Sequence, residues 1–66
     1  MEAYKRIKQY IEENGLKQTY VAEKAGIGIG IFNSVINGNT KLTVERLEKI
    51  AKALDKPVEF FLNSDS

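Results

Sequence analysis

Between Gln18 and Gly38 the chain reads QTYVAEKAGIGIGIFNSVING, and this stretch limits the fold more than any other. Val21, Ala22 and Ala25 are small apolar residues at helical spacing, which predicts a helix over about Gln18–Ala25. Gly26 breaks it. An apolar pattern resumes at Ile27, at Ile31 or Phe32, and at Val35, so a second helix starts between Gly28 and Gly30 and ends near Ile36. Asn37-Gly38 is a strong stop, because Asn and Gly tolerate left-handed backbone dihedrals. The alternation GIGIGIF also fits a strand by its period of two. So much glycine stabilises a strand poorly, however, and the flanking pattern is helical.

The chain on either side continues in helices. AYKRIKQYIEEN predicts a helix over Ala3–Asn14, with Tyr4, Ile7 and Ile11 on one stripe and Ala3 and Tyr10 beside it. Asn14-Gly15 stops it, and Leu16 is expected as a buried anchor in the loop. Lys17 sits where the next helix needs a cap and offers no acceptor, which makes that start locally weak. After a polar loop over residues 39–42, Thr43 is a good cap for a fourth helix reaching about Leu54. Its inward stripe is expected to be Val44, Leu47, Ile50, Ala51 and Leu54. Asp55-Lys56-Pro57 ends it, and Pro57 suits the first turn of a last short helix. Val58, Phe61 and Leu62 would close the core from there, with residues 63–66 fraying. Phe60 cannot share a face with Phe61, leaving it to edge packing or a dimer contact. The expected fold class is therefore all-α: five short helices in a single compact domain over 1–66, with an ordered core of about 3–62.

A chain of 66 residues buries only about 60% of the surface it exposes when unfolded, so its stability is marginal unless packing or self-association helps. Apolar residues at 42% and charged residues at 29% are normal for a folded domain rather than a disordered one. The chain contains no cysteine and no histidine, which removes thiolate chemistry, an imidazole base and the usual zinc ligands. Glu12 and Glu13 are adjacent on an expected solvated face, and no carboxylate pair converges, so an enzyme is not expected. Gly26, Gly28 and Gly30 lack the spacing and the preceding strand of a dinucleotide loop, and no cofactor is expected. Single-stranded RNA binding would need exposed aromatics in a basic groove, and only Tyr20 and Phe60 are candidates. Apolar runs are too short to cross a bilayer and no signal-peptide pattern opens the chain, so a cytoplasmic location is the expectation.

Two short helices joined by a tight glycine turn are a helix-turn-helix, whose second helix fits the major groove of DNA. The net charge of +1 neither requires nor excludes nucleic acid. Placement is more informative: Lys5, Arg6 and Lys8 cluster in the first helix and Lys41 follows the central unit, while residues 25–40 carry no formal charge. The first-helix cations either reach a phosphate or form a solvated face. Tyr20 either bonds a phosphate or covers the edge of the core.

The segments IKQYIEENGLKQ, VAEKAGI, VINGN and LEKIAKALDKPVEFF, in this order and spacing, resemble the lambda repressor-like helix-turn-helix domain of the phage Cro/C1 repressor type. The resemblance covers nearly the whole chain. It implies sequence-specific binding of double-stranded DNA, commonly as a homodimer on a palindromic operator, and transcription regulation, usually repression. By position, it implies that Gln18, with Thr19 beside it, meets a phosphate or braces the base-reading residues. Gly28, Ile29, Gly30, Ile31, Asn33 and Ser34 fall on the exposed recognition-helix positions, and Asn39, Thr40 and Lys41 in the loop that commonly touches phosphates.

Two departures from the family pattern bear on function. Ile29 and Gly30 stand where bidentate bonds to purine edges would be expected, and neither side chain donates or accepts one. Asn33 is the residue on that face suited to adenine, Ser34 can bond one base edge or a phosphate, and isoleucine can touch a thymine methyl. An alternative is a module that associates with protein or with itself through an apolar Ile29/Ile31 surface. The second departure is paired: many relatives carry an arginine at the position of Ile11 and a glutamate at that of Ile36, forming an internal ion pair. Replacing both by apolar residues is often neutral or stabilising, and Ile11 and Ile36 are expected to touch and tie the first helix to the end of the third.

Overall fold

Left-handed glycines at the expected positions divide the chain into its helices. Gly26 has φ +73° and Gly38 φ +80°, values at which a side chain would be strained, and each follows a helix end. The computed structural model describes residues 3–62. These form α1 (Ala3–Glu13), α2 (Gln18–Ala25), α3 (Ile29–Ile36), α4 (Val44–Ala53) and α5 (Val58–Leu62), with no strand among the described residues. The fraying expected for residues 63–66 lies outside them. No helix among the described residues is long and apolar enough to cross a membrane.

Packing follows the apolar stripes. α2 lies against both α3 and α4, α1 against α3 and α5, and α4 against α5. One cluster unites Ile7 and Ile11 of α1, Val21, Ala22 and Ala25 of α2, and Phe32, Val35 and Ile36 of α3. Leu47, Ile50 and Ala51 of α4, then Leu54 and Phe61, complete it. Ile11 and Ile36 are both buried in this cluster, where α1 meets α3, so the apolar pair occupies the core. Leu16 and Ile27 pack on its margin from the two loops.

Two inward assignments fail at helix ends. Val44 is 71% exposed, being the first residue of α4, while the core positions of that helix fall at Leu47, Ile50 and Ala51. Leu62 is 39% exposed, because α5 ends there and Phe61 already fills the core position. Tyr4 begins the α1 stripe, yet its ring leaves the core and covers Gly38: a Cβ added to Gly38 would lie 2.7 Å from Tyr4 Cζ. Phe60 takes the edge-packing option. Its ring meets Tyr10 and Phe61 edge-on at 5.5 and 5.0 Å, and the Arg6 and Lys56 cations lie 5.2 and 5.1 Å from its centre. Pro57 lies one residue before α5 rather than inside its first turn, with its carbonyl accepting from Phe60 N.

Candidate nucleic-acid interface

α2 and α3 begin without side-chain caps. Lys17 precedes α2 in an extended conformation with no capping bond, and the first helical bond runs from Val21 N to Lys17 O at 3.1 Å. Gly28 plays the same part for α3, where Phe32 N donates to Gly28 O at 2.8 Å. The amides of the first turns therefore have no acceptor within their helices and carry the positive end of the helix dipole. At α2 this turn holds Gln18, half-buried, and Thr19, exposed. Tyr20 is 54% exposed, so it does not cover the core; the Lys24 ammonium lies 3.4 Å from its hydroxyl.

α3 is pinned by its inner side. Phe32, Val35 and Ile36 are fully buried, which turns Gly30, Asn33 and Asn37 outward and leaves Ser34 half-buried. Ile29 and Ile31 are 43% and 48% exposed. Residues two apart project roughly 200° apart around an α-helix, so these isoleucines occupy opposite margins of the outward face rather than one patch. Ile31 borders an open groove of about 370 Å³ that also involves Ile27, Gly28, Thr43 and Arg46. The outward face between the two isoleucines is polar or bare: Asn33, Asn37 and the Cβ-less Gly30.

Hydrogen bonds fix the loop that follows α3. Asn39 N and Thr40 N both donate to Ser34 O, at 2.8 and 3.2 Å, folding the loop back on the helix. Thr43 Oγ1 accepts from Arg46 N at 3.1 Å, as its capping role requires. The Arg46 guanidinium then reaches back, Nη1 donating to Lys41 O at 2.8 Å. Asn39 and Lys41 are left exposed and Thr40 half-buried. The sequence-expected residues thus fall into three groups: the α2 start, the outward side of α3, and this braced loop.

Arg6 and Lys8 of α1 make contacts within the chain. Arg6 lies over Phe60, and Lys8 Nζ donates to Asn37 Oδ1 at 2.7 Å. Asn37 Nδ2 in turn donates to Asn33 O at 2.8 Å and to Asn33 Oδ1 at 3.3 Å. Asn37, Tyr4 and Arg46 are not legible as site residues from sequence, and Lys8 is legible only as one of the first-helix cations. The Asn33/Asn37 spacing of four residues is a legible helical pair, but nothing in sequence links Lys8 of α1 to Asn37 at the surface end of α3.

A family model described as helix-turn-helix matches residues 7–61, from the first core residue of α1 to the last of α5. This chain belongs to the lambda repressor-like helix-turn-helix family. It is 39% identical over 59 residues to the HTH-type transcriptional regulator SinR of Bacillus licheniformis, covering 88% of this chain and 53% of that protein. Identity to SinR of Bacillus subtilis (strain 168) is 37% over 59 residues, with 88% and 53% coverage. The uncharacterized HTH-type transcriptional regulator YbaQ of Escherichia coli (strain K12) is 36% identical over 55 residues, covering 83% of this chain and 49% of that protein. The chain spans about half the length of the curated relatives it matches. No solved structure matches it significantly.

Proposed function

We propose that this helix-turn-helix chain is a single domain that binds double-stranded DNA sequence-selectively and serves in transcription regulation, as a repressor. What carries the reading is the outward face of α3, held rigid by Phe32, Val35 and Ile36 while Gly30, Asn33 and Asn37 face solvent. With α3 in the major groove, Asn33 reads a base edge, Ile29 or Ile31 meets thymine methyls, and Gly28 and Gly30 let the backbone approach closely. Gln18 and Thr19 at the open start of α2 meet one phosphate, and Asn39, Thr40 and Lys41 meet another, with Ser34 beside them. Two copies on a palindromic operator would double these contacts, and a cytoplasmic location accords with such a role. That SinR and YbaQ are transcriptional regulators supports the reading.

The main competitor, self-association through Ile29 and Ile31, is disfavoured by their divergence around α3. Titration with pooled random-sequence duplexes at low and raised salt separates the two. Enrichment of a palindrome with salt-sensitive affinity is expected, and the slope should be shallow because few cations flank the face. Absence of binding, with a concentration-dependent oligomer abolished by Ile29→Ser, would reverse the assignment.

A further inference from the structure

We propose that Ile29 reads the 5-methyl group of a pyrimidine, so that this chain accepts 5-methylcytosine in place of thymine and discriminates against uracil and cytosine. The inference rests on the DNA-binding reading and names the base chemistry that the first turn of α3 selects.

Geometry separates the two exposed isoleucines of α3. Ile31 borders the open groove against α4, whose walls also include Ile27, Thr43, Arg46 and Lys49. It thus stands on the α4 side of the helix. Ile29, 43% exposed, lies on the other margin, four residues before the exposed Asn33 and eight before the exposed Asn37. Residues four apart are neighbours on a helix surface, so Ile29 and Asn33 share one row and meet adjacent parts of one ligand. Ile29 is also the first residue of α3, and a recognition helix contacts base edges with its N-terminal residues.

The chemistry of this turn is apolar. Gly28 and Gly30 flank Ile29 without side chains, and nothing lies within 4 Å of a Cβ added to either. The backbone on both sides of Ile29 is therefore open to close approach. Residues 25–40 carry no formal charge. The apolar group that a base pair exposes in the major groove is the C5-methyl of thymine. 5-Methylcytosine carries the same methyl on the same ring carbon, and in a pair with guanine presents it in the same groove. An isoleucine side chain neither donates nor accepts a hydrogen bond. It does not register the exchange of O4 for N4–H2 beside that methyl. The selected feature is the methyl rather than the base.

Base analogues test this with the intact chain. A preferred site is obtained from a random duplex library, and each thymine in it is replaced in turn by uracil, which loses only the methyl. One replacement is expected to weaken binding roughly fourfold, the scale of one carbon group buried from water. At that position 5-methylcytosine paired with guanine should bind as thymine does, and cytosine as uracil does. Ile29→Ser should abolish the dependence on the methyl, whereas Ile31→Ser, the same change on the other margin, should preserve it. The analogue series on the intact chain stands whether or not a variant folds. A preferred site without thymine, equal affinity for thymine and uracil at every position, or a methyl effect that 5-methylcytosine fails to reproduce overturns the inference and leaves DNA binding standing. A methyl effect that survives Ile29→Ser does the same. Failure to enrich any duplex overturns both.

Discussion

Gly38→Ala should destabilise the domain through two separable effects. The first is backbone strain: at φ +80° an L-residue occupies the left-handed region, at a cost of roughly 1–2 kcal/mol. The second is the Tyr4 ring, since the new Cβ would fall 2.7, 2.9 and 2.9 Å from Cζ, Cε1 and Oη. The ring must swing off the loop, which adds about 1–2 kcal/mol in the manner of other overpacked sites. Gly15 supplies the control, with φ +64° and nothing within 4 Å of an added Cβ. Gly15→Ala should therefore cost about 1–2 kcal/mol, and Gly38→Ala about 2–4 kcal/mol. Domains of this length have only about 3–10 kcal/mol in total, so the larger loss is severe. Thermal unfolding followed by circular dichroism should separate the two midpoints by roughly 5–10 °C. In a Tyr4→Ala background the cost of Gly38→Ala should fall to that of Gly15→Ala. Equal costs for the two glycines in the intact background, or no coupling with Tyr4, would refute the steric account.

Gly30→Ala should raise stability by roughly 0.5–1 kcal/mol in urea unfolding, because Gly30 lies inside α3 and nothing lies within 4 Å of the added Cβ. Ile11→Arg or Ile36→Glu alone should cost about 3–5 kcal/mol, since each buries a lone charge in the core, while the double variant should recover part of that loss in a double-mutant cycle. Thr43→Ala should lower stability by about 1 kcal/mol through loss of the bond to Arg46 N. Lys17→Asp, which places an acceptor at the uncapped start of α2, should gain a similar amount in the same unfolding assay.

Local chemistry accounts for what was legible in the chain. Gln18–Ala25 and the start of α3 after Gly28 follow from glycine punctuation and apolar spacing, both of which act within a few residues. The same logic misassigned Val44 and Leu62, where periodicity continues to the terminal residue of a helix but burial does not. On α3, sequence marked Ile29, Ile31 and Asn33 as exposed candidates. The separation of the isoleucines follows from helix geometry once the buried side is known.

By itself the sequence determined that the chain is all-helical, that a glycine turn joins α2 to α3, and that the outward side of α3 lacks charge. These are consequences of residue type and spacing. Only the tertiary structure decided which polar groups reach one another: Lys8 to Asn37, Tyr4 over Gly38, and Arg46 back to Lys41. Two of these contacts depend on how α1 is set against α3 and its following loop, a geometry created by burying Ile7 and Ile11 in one core with Phe32 and Ile36. Hydrophobic burial has no direction and specifies no partner for a surface side chain. The Gln18–Gly38 stretch thus encodes a helix-turn-helix in its own residues, while the Asn37 side chain at its end is held by Lys8 of the first helix.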